Sequence, residues 1–185
     1  DFDNPFAHRD LTMSTGGSTG LATAVNQDLD YIGATAPLPM LMFDAWGVLD
    51  VGRGRWPYST IWNWGGGAGR TDDGAVLGVQ IGGKWTVGTG ATENGIILDG
   101  RLTKIGRELD WTYDWDRPLE PWTVRDPGGQ LDLVLTPRHD KHSRTDIGVL
   151  RTETHQVFGT WAGSFIDDDG RRVAFGGLQG FAEES

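Results

Sequence analysis

Beyond residue 40 the apolar positions of this chain recur with a period of two. The run Leu131-Asp132-Leu133-Val134-Leu135-Thr136 sets three leucines on one side, the pattern of a strand with one buried face. From Val157 to Phe165, residues Val157, Gly159, Trp161, Gly163 and Phe165 share a side, large beside small. Val76–Ile81, Thr92–Leu98 and Arg171–Phe175 predict further strands. Arg101–Trp111 predicts one long bent strand, with helix the weaker alternative because Gly106 interrupts it. Asp72-Asp73-Gly74, Gly82-Gly83, Asp99-Gly100, Pro127-Gly128-Gly129 and Asp168-Asp169-Gly170 separate these runs as turns, since each offers a residue tolerant of positive φ. About ten antiparallel strands in meander order follow, and closure into a barrel would remove the exposed edges. A barrel of about eight strands holds one small ligand inside. The predicted fold is all-β, an antiparallel barrel over residues 41–185 behind a poorly defined segment, residues 1–40. A two-sheet sandwich is the alternative.

Composition narrows the function. The 185 residues suffice for one substantial core. The excess of 26 acidic over 16 basic residues gives a formal charge of −10, which argues against nucleic acid and anionic membrane surfaces because no basic stripe neutralises phosphates. No apolar run reaches transmembrane length. The chain has no cysteine, which excludes disulfides and thiol catalysis and points mildly to a reducing cytoplasm. It starts Asp1-Phe2-Asp3, so removal or loss of an upstream segment is expected. No nucleophile elbow, phosphate loop, zinc motif or dinucleotide fingerprint is present, and no cofactor is expected. His139 and His142 fall on opposite faces of a strand amid Lys141 and arginines, so a solvated loop is expected there and no metal site.

The segment from Trp46 to Gly69 holds four of the nine tryptophans. It also carries Asp50 and Arg53 and ends in Gly65-Gly66-Gly67-Ala68-Gly69. Rigid rings beside a possible ion pair and bare backbone suggest a cavity wall for a bulky apolar molecule. Trp62 and Trp64 lie on one face with Asn63 on the other. They either line a pocket, where their π faces could stabilise a carbocation, or pack the core. Asp50 and Arg53 form either an ion pair at a cavity mouth or one that fixes a turn. Glu93 and Asn94 enter the apolar strand Ile96-Ile97-Leu98. An inward Glu93 would have a raised pKa and serve as a general acid; the alternative is a strand-end residue bonded to a turn.

Leu49–Gly69, Thr92–Leu102, Pro121-Trp122, Leu131–Pro137, His155–Gly163 and Gly177–Glu184 occur in an order that resembles a bacterial domain-of-unknown-function family. That family is placed among the lipocalin-like calycins, with the carotenoid hydratase (hydroxyneurosporene synthase) group, tocopherol cyclase and lipocalin-like Diels–Alderases as distant relatives. The resemblance implies a lipocalin-like barrel. It also implies that this chain is mainly the C-terminal half of a two-barrel protein, the cavity lying between or beside the halves. Asp50 and Arg53 match the family's Asp-x-x-Arg-Gly, Glu183 its terminal Gly-x-x-Glu, and His155 and Trp122 its later motifs. His155 would partner Glu93 or Glu183, or be structural; Glu183 would be buried against Arg53 or sit in a polar tail. The expected ligand is a terpenoid- or polyketide-like molecule. Asp50 and Glu93 are the candidate acids for a cofactor-independent hydration, cyclisation or isomerisation. Trp62, Trp64, Arg53, Asn63, Asn94, Trp122, His155, Trp161 and Glu183 are the candidate binding residues. A non-catalytic carrier, or a structural half-barrel that oligomerises or docks to a missing N-terminal half, is the alternative.

Overall fold

A computed structural model describes residues 11–15, 23–27, 58–148 and 151–185. The chain divides into two compact units, residues 1–45 with 49–57, and residues 46–48 with 58–185. In the first, β1 (Leu11–Thr15) and β2 (Thr23–Gln27) pair antiparallel, Leu11 opposite Gln27.

The second unit holds β3 (Asn63–Arg70), β4 (Val76–Gly83), β5 (Gly95–Leu98), β6 (Arg101–Lys104), β7 (Asp110–Thr112), β8 (Trp122–Arg125), β9 (Leu131–Asp146), β10 (Arg151–Ile166) and β11 (Arg172–Glu184). They form one antiparallel sheet in the order β6-β5-β4-β3-β11-β10-β9-β8-β7, strongly curled into a half-barrel. The all-β expectation therefore holds, and no described residue is helical. Closure differs from expectation. The last strand, β11, pairs with β3, but β6 and β7 do not pair with each other. Arg101–Trp111 is accordingly two short strands. Ile105 and Leu109 turn into the core between them, and Ile105 N–H donates to Asn94 O at 3.0 Å. Among the described residues β6 and β7 are the edge strands, four and three residues long, and they carry Arg101, Lys104 and Asp110, features that discourage edge-to-edge pairing.

Turn chemistry places most strand ends. Asp99 (φ 48°) and Gly100 (φ 82°) close a two-residue hairpin between β5 and β6, as expected where both central residues need positive φ. Gly82-Gly83 is not a turn. Both glycines end β4, and the positive φ falls on Lys84 at 69°. Residues 138–142, expected as a loop, continue β9.

The buried face is the one that alternation predicts: Leu131, Leu133 and Leu135 from β9, Val157, Trp161 and Phe165 from β10. Leu77, Val79 and Ile81 of β4 and Trp122 and Val124 of β8 complete it. The glycines on this face do not open a cavity. They seat this chain's own rings. A Cβ on Gly65 would lie 3.0 Å from Trp111 Cη2 and 3.2 Å from Trp161 Cζ2, and one on Gly67 3.0 Å from Trp161 Cδ1. Trp161 Nε1 donates to Gly66 O at 3.1 Å, which satisfies the one polar atom of a fully buried indole. The half-barrel's inner face is solid here, filled by tryptophan above a glycine floor.

Candidate functional site

A groove lies on the sheet face opposite the core. Cross-strand partners share a face, and two rows build this one: Trp64–Glu183–Gln156 and Gly66–Phe181–Phe158–His139. Because Gly66 lacks a side chain, Phe181 can lie over it, its Cε1 3.0 Å from where a Cβ would stand. Trp64 meets Phe181 edge-on at 4.6 Å and 76°. Phe158 lies 6.3 Å from Phe181 and is 40% exposed. The resulting groove has a volume of about 580 Å³, with Gln156, Gln179, Thr160, Arg138 and His139 supplying polar atoms around the rings.

The structure brings several of the expected residues to this face and separates the others. Trp62 precedes β3, and its Nε1 donates to Glu183 Oε1 at 2.9 Å, while Gln156 Nε2 donates to Glu183 Oε2 at 2.7 Å. Trp64 Nε1 donates to Gln80 Oε1 at 3.1 Å. Glu93 is exposed and does not enter the core; its Oε2 lies 3.1 Å from where a Cβ on Gly82 would stand, and Gly82 is the cross-strand partner of Trp64. Its carboxylate thus flanks the tryptophan row from the solvent side rather than facing a dry interior. Trp161 and Trp122 are fully buried core. Asn94, also buried, accepts from Gly82 N–H at 2.7 Å and donates to Arg107 O at 3.0 Å, holding the sheet edge to the segment before β7. Asp50 and Arg53 lie outside the described residues.

Asn63 and His155 belong to the opposite face. Asn63, Glu184, His155 and His142 are successive cross-strand partners on β3, β11, β10 and β9, a polar row at one end of the core face. Asn63 Nδ2 donates to Tyr113 Oη at 3.2 Å and Lys84 Nζ does so at 2.8 Å, while Lys84 is also paired with Glu184. Tyr113 stacks on Trp122 at 4.1 Å and 15°. His155 Nδ1 lies 2.8 Å from Asp140 Oδ2. Burial raises the Tyr113 phenol above its ordinary value, reinforced by its hydrogen bond with Glu184. Burial pulls the Lys84 ammonium down, but hydrogen bonds with Glu184 and Tyr113 together outweigh it and leave the group raised.

Both shifts carry the same sign for stability. The unfolded chain releases these protons near the ordinary values of 10.0 and 10.5, whereas the folded chain holds them to higher pH. Their contribution is complete below about pH 10 and is lost as pH rises through the folded-state values. Urea midpoints should therefore fall between about pH 9.5 and about pH 11.5, and Y113F should shallow that fall. An equal slope in Y113F would refute the assignment to Tyr113.

Phe158, Phe181 and Gln156 were not singled out from sequence. The available signal was an aromatic at an outward position of a period-two strand: Phe158 alternates with buried Val157 and half-buried Gly159, where a one-sided strand would carry polar residues. Tyr113, Lys84 and Asp140 had no such signal, because their proximity arises from pairing across distant strands.

Neither a comparison with curated proteins nor one with solved structures finds a match. A family model does match residues 35–185, that of the domain of unknown function DUF2804. With most of its length covered by that match, the chain belongs to the DUF2804 family.

Proposed function

We propose that the chain binds a bulky apolar molecule, of terpenoid- or polyketide-like character, on the sheet face formed by Trp64, Phe158 and Phe181. One observation carries this: a groove of about 580 Å³ in which the rings of Trp64, Phe158 and Phe181 stand over a glycine-rich floor, with polar side chains from Gln156, Gln179, Thr160, Arg138 and His139 around them. That volume falls in the range of small-molecule sites, and such sites pair apolar walls with sparse polar groups. A partly exposed Phe158 and a half-buried Trp64 leave ring surface that a ligand would remove from water, at about 25 cal/mol per Å².

The test is titration with Nile red, an uncharged apolar dye, followed by its fluorescence. Trp64→Ala should weaken binding about tenfold, the equivalent of about 1.4 kcal/mol. Trp85→Ala, an exposed tryptophan outside the groove, should leave it within about twofold. Equal losses in both variants would remove the groove as the site. Mass spectrometry of lipophilic compounds that co-purify with the native protein would then give the ligand class.

Acid chemistry on a bound ligand would draw on the carboxylates that border this face, Glu93 and Glu183. Glu93→Gln separates the enzyme from the carrier. Turnover of the cognate ligand lost with binding retained marks an enzyme; both unchanged marks a carrier or an acid elsewhere.

A further inference from the structure

We propose that the ligand of the aromatic groove ends in a carboxylate held by Arg138, its apolar body lying over Phe158, Phe181 and Trp64; this rests on the reading of the groove given above. Every other arginine among the described residues has a side-chain partner. Arg70 and Arg172 donate to Gly74 O and Ser164 Oγ, and the remainder pair with carboxylates. Among the described residues Arg138 has no such partner. It lines the groove, and no other lysine or arginine does so. Acids outnumber bases 26 to 16 in this chain. A guanidinium left without a carboxylate beside partly exposed rings is therefore free to take one from a ligand.

A bulge puts Arg138 there. Adjacent residues of a regular strand point to opposite faces, yet Arg138 and His139 both line the groove. Phe158 is opposite His139 and Gly159 is opposite Pro137, so Arg138 is the extra residue of β9, without a cross-strand partner. Such an insertion re-aims a side chain. Gly159 permits it, since a Cβ there would run into Thr136 O and stand 2.8 Å from Pro137 Cα. Past the bulge, alternation sorts the charges. Lys141 is opposite Gln156, a groove residue, and shares its face, whereas Asp140 turns the other way, to His155. The carboxylates that border the groove stand beyond β10. Glu183 on β11 is held by Trp62 and Gln156, and Glu93 flanks Gly82, the cross-strand partner of Trp64. This separation of charge directs an anionic head toward β9. A single guanidinium fork matches one planar two-oxygen group, which favours a carboxylate over a phosphate.

Isothermal titration of the intact chain at neutral pH with decanoate, decanol, decylammonium and decyl phosphate tests this. Decanoate should bind at least about tenfold more tightly than decanol, and added salt should narrow the gap. Arg138→Gln should bring decanoate to within about threefold of decanol, leaving decanol within about twofold of its wild-type affinity. Equal binding of decanoate and decanol overturns the proposal, as does decylammonium or decyl phosphate binding more tightly than decanoate. So does a gap that survives in folded Arg138→Gln; if that variant fails to fold, the wild-type ratios decide alone. The groove itself is judged by Trp64→Ala, which should weaken decanol and decanoate alike, by about tenfold. Decanol binding that depends on Trp64, with no preference for decanoate, overturns the carboxylate and leaves the groove standing. Affinities indifferent to Trp64→Ala overturn both.

Discussion

Gly180→Ala should destabilise the second unit by about 3 kcal/mol or prevent its folding, although it adds one methyl group. Gly180 faces Gly67 on β3 and Gly159 on β10. A Cβ there would run into the carbonyl oxygen of Gly66 and stand 2.6 Å from Trp161 Cδ1 and 2.8 Å from its Nε1. Neither can yield cheaply. The carbonyl belongs to a paired strand, and the indole is packed on every side. Gly176→Ala is the control, since a Cβ at that exposed position meets nothing within 4 Å; it should change stability by less than about 0.5 kcal/mol. Urea unfolding of the two variants checks the pair, and similar midpoints would show that the glycine floor does not hold the indole.

Trp161→Ala should cost more, about 3–5 kcal/mol, the range for removing a large buried ring. The indole is fully buried and covers Gly65, Gly67 and Gly180 at once, so no neighbouring side chain can relax into the space. Trp161→Phe keeps part of the packing but removes the donor to Gly66 O, and an intermediate loss is expected. The double variant carrying Gly180→Ala and Trp161→Ala should be less destabilised than the sum, because part of the methyl's clash disappears with the ring. A cost below about 1 kcal/mol for Trp161→Ala would mean the inner face is loosely packed after all.

These two results bear on the site as well as on the fold. If the inner face is occupied by Trp161, Trp122 and Trp111, a bulky ligand has no room there. The apolar binding proposed above would then fall to the face of Trp64, Phe158 and Phe181.

Much of this was legible from local pattern. Period-two alternation in Leu131–Leu135 and Val157–Phe165 named the buried face correctly, because strand geometry sends alternate side chains to opposite sides whatever the partner strand. Asp99-Gly100 named a hairpin because few residue pairs accept two consecutive positive φ values. Trp62 and Trp64 were paired by alternation, and Glu183 was set by resemblance against Arg53 or His155; the structure instead joins Trp62 to Glu183 by a hydrogen bond across 121 positions of sequence. What alternation cannot reveal is which faces meet. Gly82-Gly83 reads as a turn in isolation but ends a strand here, the left-handed backbone falling one residue later on Lys84.

The sequence by itself determined that this chain is an antiparallel β protein, where its main strands run and which side of each is apolar, since these depend on backbone sterics and on water. Only the tertiary structure decided what the glycines are for and where Glu93 and Glu183 stand. A bare backbone accepts a ligand or a neighbouring indole equally well. The register that sets Gly67 and Gly180 beneath Trp161, Asp140 beside His155 and Glu93 in solvent is a property of strands far apart in the chain.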